Sequence, residues 1–207
     1  MTMVHIGSVD APLNRPGLAE ATFALLRRAL ALGLLRDRPQ VDRLDLELVR
    51  EIARQASAAG IGRDVALALL AEQSPARLER LIERLDEALI GSPLPDRELR
   101  QLRQTFDIDQ LAQLVGASTV SLRRYLAGSR AVPDEIAARA HWLALVSADL
   151  AGAYNELGIR RWFERPRAQL GGRPPRAELG RDWNPDQPGA QRVRDLAAAL
   201  AAPGAAT

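Results

Sequence analysis

The chain has 207 residues, enough for one or two domains that each bury a core, and its apolar content is mostly leucine and alanine with only 4% aromatics, which predicts helices throughout. The absence of cysteine excludes a disulfide framework and a thiolate metal site, and no apolar run approaches the roughly 20 residues that span a bilayer, so no membrane partner is expected. A net charge of +2 is too small to announce a nucleic-acid partner by bulk electrostatics, so the distribution of charge has to carry that argument.

Residues 1–16 read as a loose lead-in, with Pro12 and Pro16 opposing regular structure. Residues 1–10 lack a basic-then-apolar signal pattern, and a soluble, cytoplasmic protein is expected. A first helix is predicted over 18–35, with Arg27 and Arg28 on one side and Gly33 near its end. Its apolar residues cover much of the circumference, so it needs burial on more than one side. Asp37, Arg38 and Pro39 break the chain, and Asp42 is read as the cap of a helix to about residue 58 carrying Leu44, Leu48, Val49 and Ile52. Gly60 and Gly62 stop it, and Asp64 starts a short apolar helix through Ala71. Ser74 and Pro75 open a further helix with Leu78, Leu81, Ile82, Leu85 and Leu89 on one face.

Gly91, Pro93 and Pro95 cannot continue a helix, which makes 91–96 the linker. The charge balance changes there. Residues 1–95 hold 12 arginines against 13 acidic side chains, and residues 96–207 hold 16 against 13. Every basic side chain is arginine, which does not titrate near neutrality and binds phosphate or guanine through two parallel hydrogen bonds.

Asp96 is read as the cap of a helix through Gln104, and Asp107 or Asp109 as the cap of the next. Residues 111–126 then have helix-turn-helix spacing. Two short helices that cross closely need a small residue on the first, a glycine in the turn and apolar residues that lock the second. Ala112, Gly116 and the set Leu111, Val115, Leu122 and Tyr125 meet those needs. Ser118 or Thr119 caps the second helix. The candidate DNA contacts are Ser118, Thr119, Val120, Ser121, Arg123 and Arg124 on its outer face, with Arg130 in the turn that follows. Apolar spacing alone equally suits a helical corner with no DNA role. The small residue, the glycine and the arginine pair together favour double-stranded DNA, and the basic excess lies in the same half of the chain.

Asp134 starts a long helix to about residue 157, interrupted at Gly152, with Ile136, Ala140, Leu143 and Val146 inward and Gly158 ending it. Beyond it the chain reads as short and irregular, through Trp162, Phe163, Pro166, Gly171, Gly172, Pro174 and Pro175. A final helix over 190–201 and a small-residue tail follow. Trp162 and Phe163 are read as anchors that fix the irregular segment to the long helix. The seven arginines between Arg160 and Arg181 suit either phosphate contact or a solvated face. His5 and His141 stand apart from each other and from any carboxylate, and no phosphate loop, nucleophile elbow or metal-ligand spacing is present. No catalytic residue, cofactor or metal is therefore expected. The fold expected is all-α: an N-terminal helical domain over 1–92 for oligomerisation or partner binding, a helix-turn-helix domain over 96–157, and a small irregular and helical C-terminal subdomain over 158–207.

From about residue 105 to 200 the chain resembles the Xre/MbcA/ParS-type antitoxins. Besides the helix-turn-helix, the resemblance lies in Gly158, Trp162, Pro166, the Leu170-Gly171 pair, Pro174 and the Glu178-Leu179 pair, in that order after a long helix, followed by a closing helix near 193–200. The resemblance implies an oligomeric DNA-binding antitoxin that represses its own promoter and binds a toxin protein. Two other functions fit the residues as read. One is a protein-interaction module in which the helical corner is structural. The other is a DNA-binding regulator without a toxin, in which residues 18–90 sense a ligand or form a homodimer or higher homo-oligomer.

Overall fold

The computed structural model describes residues 3–36 and 40–201. The break at Asp37, Arg38 and Pro39, the His5 side chain and the tail at 202–207 lie outside the described residues. Among those described, the fold is mostly helical, with eleven α-helices and one small two-stranded sheet, and no helix is long and apolar enough to cross a membrane. The residues divide into two compact units, Met1–Ser92 and Pro93–Thr207, with the division inside the 91–96 segment.

The first unit corrects the reading of the N-terminus. Part of the expected lead-in is strand β1 (Met3–Val9), which runs parallel to β2 (Gln40–Leu44), with α1 (Pro16–Ala31) as the crossover between them. Met3 pairs with Gln40 and Val9 with Leu44, and the register is irregular between Val4 and Ser8, where Gly7 lies. Val41 and Leu44 of β2 are buried. Asp42 therefore belongs to a strand, and the cap of α2 (Leu46–Ala58) is Asp45, whose carboxylate accepts from the Leu48 N–H at 2.8 Å. α3 (Arg63–Ala71) packs on α2 and on α4 (Pro75–Ile90). α1 lies along α4, where Arg28 Nε donates to Asp86 Oδ1 at 2.7 Å. The buried residues of α1, Leu18, Thr22, Leu25, Leu26 and Ala29, fall on one stripe, while Phe23, Ala24 and Leu30 are half-buried, so the expected burial on more than one side is not met within this unit.

The second unit holds α5 (Pro95–Thr105), α6 (Ile108–Val115), α7 (Thr119–Leu126), α8 (Asp134–Leu150), α9 (Glu156–Glu164), the short α10 (Pro175–Leu179) and α11 (Pro188–Ala201). One core runs through it from Leu99 to Ala197, so the segments 96–157 and 158–207, which the sequence separates, share their interior. α8 is its axis, with α5 and α11 packed against it, and residues 142–148 of α8 are buried all round.

The end of α8 also differs from expectation. α8 stops at Leu150, and Asn155 opens α9 by accepting the Gly158 N–H at 2.9 Å. Gly158 therefore sits in the first turn of α9 and does not stop a helix. Its lack of a side chain serves close packing, since a Cβ there would come within 2.9 Å of Tyr154 Cβ. Arg160, Arg161, Trp162 and Phe163, read as irregular, are helical.

Two further expectations change at α5. Asp96 lies in the first turn, whereas Glu98 reaches back to accept the Leu94 N–H at 3.0 Å. His141 has a carboxylate partner after all: its Nδ1 lies 2.7 Å from the same Glu98 oxygen, and Glu98 is fully buried. That one carboxylate satisfies the start of α5 and ties it to α8. Glu98→Ala is expected to cost about 3–5 kcal/mol, because it removes one member of a buried pair and uncaps a helix. Urea unfolding measures the change, and a loss below about 1 kcal/mol contradicts this role.

Candidate nucleic-acid interface

The α6–turn–α7 corner is built as its residues require. Asp107 caps α6 by accepting the Gln110 N–H at 2.8 Å. Gly116 ends α6 in the left-handed region at φ 72°, and Leu111, Ala112 and Val115 are buried beneath the turn. Ser118 caps α7 by accepting the Ser121 N–H at 3.1 Å, and its own hydroxyl donates to Ser121 Oγ at 3.0 Å. Leu122 and Tyr125 turn inward and lock α7 on the core. The spacing of apolar residues thus leaves one side of an eight-residue helix free.

That free side carries the candidate contacts. Ser118, Val120, Arg123 and Arg124 are exposed, Val120 at 54%, while Thr119 and Ser121 are half-buried at the capped end. Val120, Arg123 and Arg124 stand at helical spacings of three and four, on one face. Neither the Arg123 nor the Arg124 guanidinium has a partner among the described residues. Such a face can do two things chemically: donate pairs of hydrogen bonds from arginine and offer an apolar contact from valine. Arg130 is placed differently. Its guanidinium lies over the Tyr125 ring, 5.7 Å from the centroid, at the far end of α7.

What holds this corner in place is not legible in the sequence. The Leu114 and Val115 carbonyls at the end of α6 have no partner within the helix. Trp183 Nε1 donates to the first at 2.8 Å and Arg139 Nη1 to the second at 3.1 Å. Arg139 Nε also donates to the Trp183 carbonyl at 2.6 Å, and the two rings of Trp183 and Trp142 meet edge-on with centroids 4.8 Å apart. A buried guanidinium at a helix C-terminus is favoured by the helix dipole as well as by its hydrogen bonds. The one signal in the chain is that Arg139 falls between Ile136 and Leu143 on the inward stripe of α8, where a charged residue demands a reason.

Gly116 also makes room for this arrangement. A Cβ at that position would overlap Arg139 Nη1 and come within 3.3 Å of the Arg181 carbonyl. Gly116→Ala is expected to lose about 1–2 kcal/mol to the left-handed backbone alone, and more from displacing Arg139. A lowered melting temperature checks this, and an unchanged one contradicts it.

The residues of the 158–180 motif have structural partners. Trp162 is 1% exposed and meets Phe163 edge-on at 5.2 Å, and Phe163 meets Phe106 at 5.5 Å. Arg167 covers the indole at 5.2 Å from its centroid. Trp162 is buried in the same core as Leu143, Val146 and Leu150 of α8, as expected of an anchor, but it sits in a helix and not in an irregular segment. α9 packs on α5 and α10, and Trp183 adds an edge-on contact with Trp142 of α8. Glu178 is held between Arg173 at 3.0 Å and Arg192, and Leu179 is buried. Arg176 bonds Glu164 at 3.0 Å and Gln113 at 3.1 Å, which links the arginine-rich segment to α6. Burial raises the Glu156 carboxyl above the ordinary glutamate range, partly offset by the Arg160 charge one turn on.

Compared with protein-family models, with curated proteins and with solved structures, the chain finds no match. A functional reading rests on the geometry above and on the residues of the motif.

Proposed function

We propose that the chain is a sequence-specific DNA-binding transcriptional regulator of the antitoxin type, which represses its own promoter and neutralises a partner toxin in the cytoplasm. The observation that carries the DNA reading is the outer face of α7, where Val120, Arg123 and Arg124 are exposed and the two guanidinium groups are unpartnered among the described residues. α7 enters the major groove by its capped end, and Arg123 and Arg124 bind guanine edges or phosphate. A homodimer presents two such helices to a two-fold operator, with half-sites about 34–36 Å apart. The antitoxin part of the reading is supported by the order of Gly158, Trp162, Pro166, Leu170, Pro174 and Glu178 along the chain. The first unit is assigned to self-association or toxin binding.

The test is a mobility-shift titration of the full chain on a duplex from its own promoter and on a scrambled duplex of equal length. Tighter binding to the promoter duplex, by about 1,000-fold or more, is the expected result for a specific regulator. Equal or absent binding on both overturns it.

A further inference from the structure

We propose that Arg161, Arg165 and Arg181 form a phosphate-binding track beside α6 that grips the DNA backbone next to the groove entered by α7. The inference rests on the reading of α7 as a recognition helix.

Two clefts border α6. The smaller, of about 210 Å³, lies between Gln110 of α6 and Arg160, Arg161 and Glu164 of α9, with Arg165 just beyond its end. The larger, of about 600 Å³, lies between Gln113, the turn around Gly116 and Ser118, and the residues Arg176 and Arg181. One ion pair joins them. Glu164 lines the first cleft and pairs with Arg176, which lines the second and also bonds Gln113. Gln110 and Gln113 are one turn apart on α6, so both clefts run along the same edge of that helix.

The charges along this edge are not equivalent. Arg176 is committed to Glu164 and Gln113 and serves as a spacer. Arg161, Arg165 and Arg181 are exposed, and none has a partner among the described residues. The only carboxylate among the residues lining either cleft is Glu164, and Arg176 pairs with it. The net result is a positive strip that ends at the N-terminus of α7, where free backbone N–H groups and the helix dipole favour an anion.

In a helix-turn-helix the first helix crosses the sugar–phosphate backbone while the second enters the groove. A strip along the edge of α6 that leads to the start of α7 therefore follows the path of that backbone. Continuity with α7 favours duplex DNA over an acidic protein partner. Guanidinium groups there position the protein without reading sequence.

The experiment measures the affinity of the full chain for its promoter duplex and for the scrambled duplex at several salt concentrations, in wild type, Arg161→Ala/Arg165→Ala/Arg181→Ala and the corresponding triple lysine variant. The alanine variant is expected to flatten the slope of log affinity against log salt by about 0.9 for each phosphate no longer neutralised, or roughly 2.7 for all three. The change should be equal on both duplexes, so the preference for the promoter is kept. The lysine variant should keep the wild-type slope, because a point charge suffices at phosphate. An unchanged slope in an alanine variant that melts like wild type removes the track while leaving the α7 reading intact. So does a weakening confined to the promoter duplex, which means that the arginines touch bases. Absence of binding by wild type to either duplex removes both.

Discussion

Replacing Trp183 with alanine is expected to destabilise the second unit by about 3–5 kcal/mol, and by more than the same change at Trp162. Both indoles are 1% exposed, so burial alone predicts equal losses. Their polar atoms break the tie. Trp183 Nε1 is bonded to the Leu114 carbonyl and its ring stacks edge-on with Trp142, so alanine leaves a carbonyl unpaired at the end of α6 and a gap against α8. Trp162 Nε1 is buried without a hydrogen-bond partner among the described residues, so its removal also relieves an unpaired donor. That relief, of about 1–3 kcal/mol, offsets part of the burial that alanine gives up. Denaturant unfolding of the two variants gives the order directly. If Trp162→Ala is the more damaging change, the role given to Trp183 at the helix-turn-helix is wrong. Because Trp183 and Arg139 both hold the end of α6, Trp183→Ala should weaken DNA binding as well, by loosening the corner's geometry and without touching DNA itself.

Arg123→Ala and Arg124→Ala should behave in the opposite way, with stability kept and DNA binding weakened. Both side chains are exposed and unpartnered among the described residues, so their truncation falls within the small range usual for surface changes. In the complex each costs about 1–3 kcal/mol if it is bidentate to guanine, roughly 5- to 150-fold in affinity, with relaxed specificity at one base pair. A residue that touches only phosphate weakens binding to all sequences alike and lowers the salt slope by about one. Titrations on the promoter duplex and on single-base variants separate the two modes. A folded double variant that binds its promoter as tightly as wild type overturns the assignment of α7. Arg130→Ala should have a smaller effect, since its guanidinium is already engaged with the Tyr125 ring.

The parts of this protein that are written locally can be read from the chain alone. The mostly helical fold follows from leucine and alanine at helical spacing, and the corner of α6 and α7 from Gly116, the Ser118 cap and the apolar positions around them. These depend on residues within one or two turns of each other, where backbone preference and capping act without outside help. The exposure of Arg123 and Arg124 follows from the same periodicity.

Tertiary structure decides what depends on residues far apart. β1 and β2 are short, and each makes sense only beside the other, with a whole helix between them in sequence. Periodicity has no purchase on such a pair, so by itself β1 reads as a lead-in and Asp42 as a cap. Gly158 resembles a helix stop because glycine commonly is one. Its actual reason, the approach of Tyr154 within the first turn of α9, exists only once Asn155 has capped that helix. The Glu98–His141 pair spans 43 residues, and the bonds of Arg139 and Trp183 to the end of α6 span 24 and 69. A buried polar group must find its partner wherever the fold brings one, and sequence separation places no limit on that search. The exposed face of α7 is thus legible in eight residues, whereas the frame that holds it is drawn from α8 and the loop before α11.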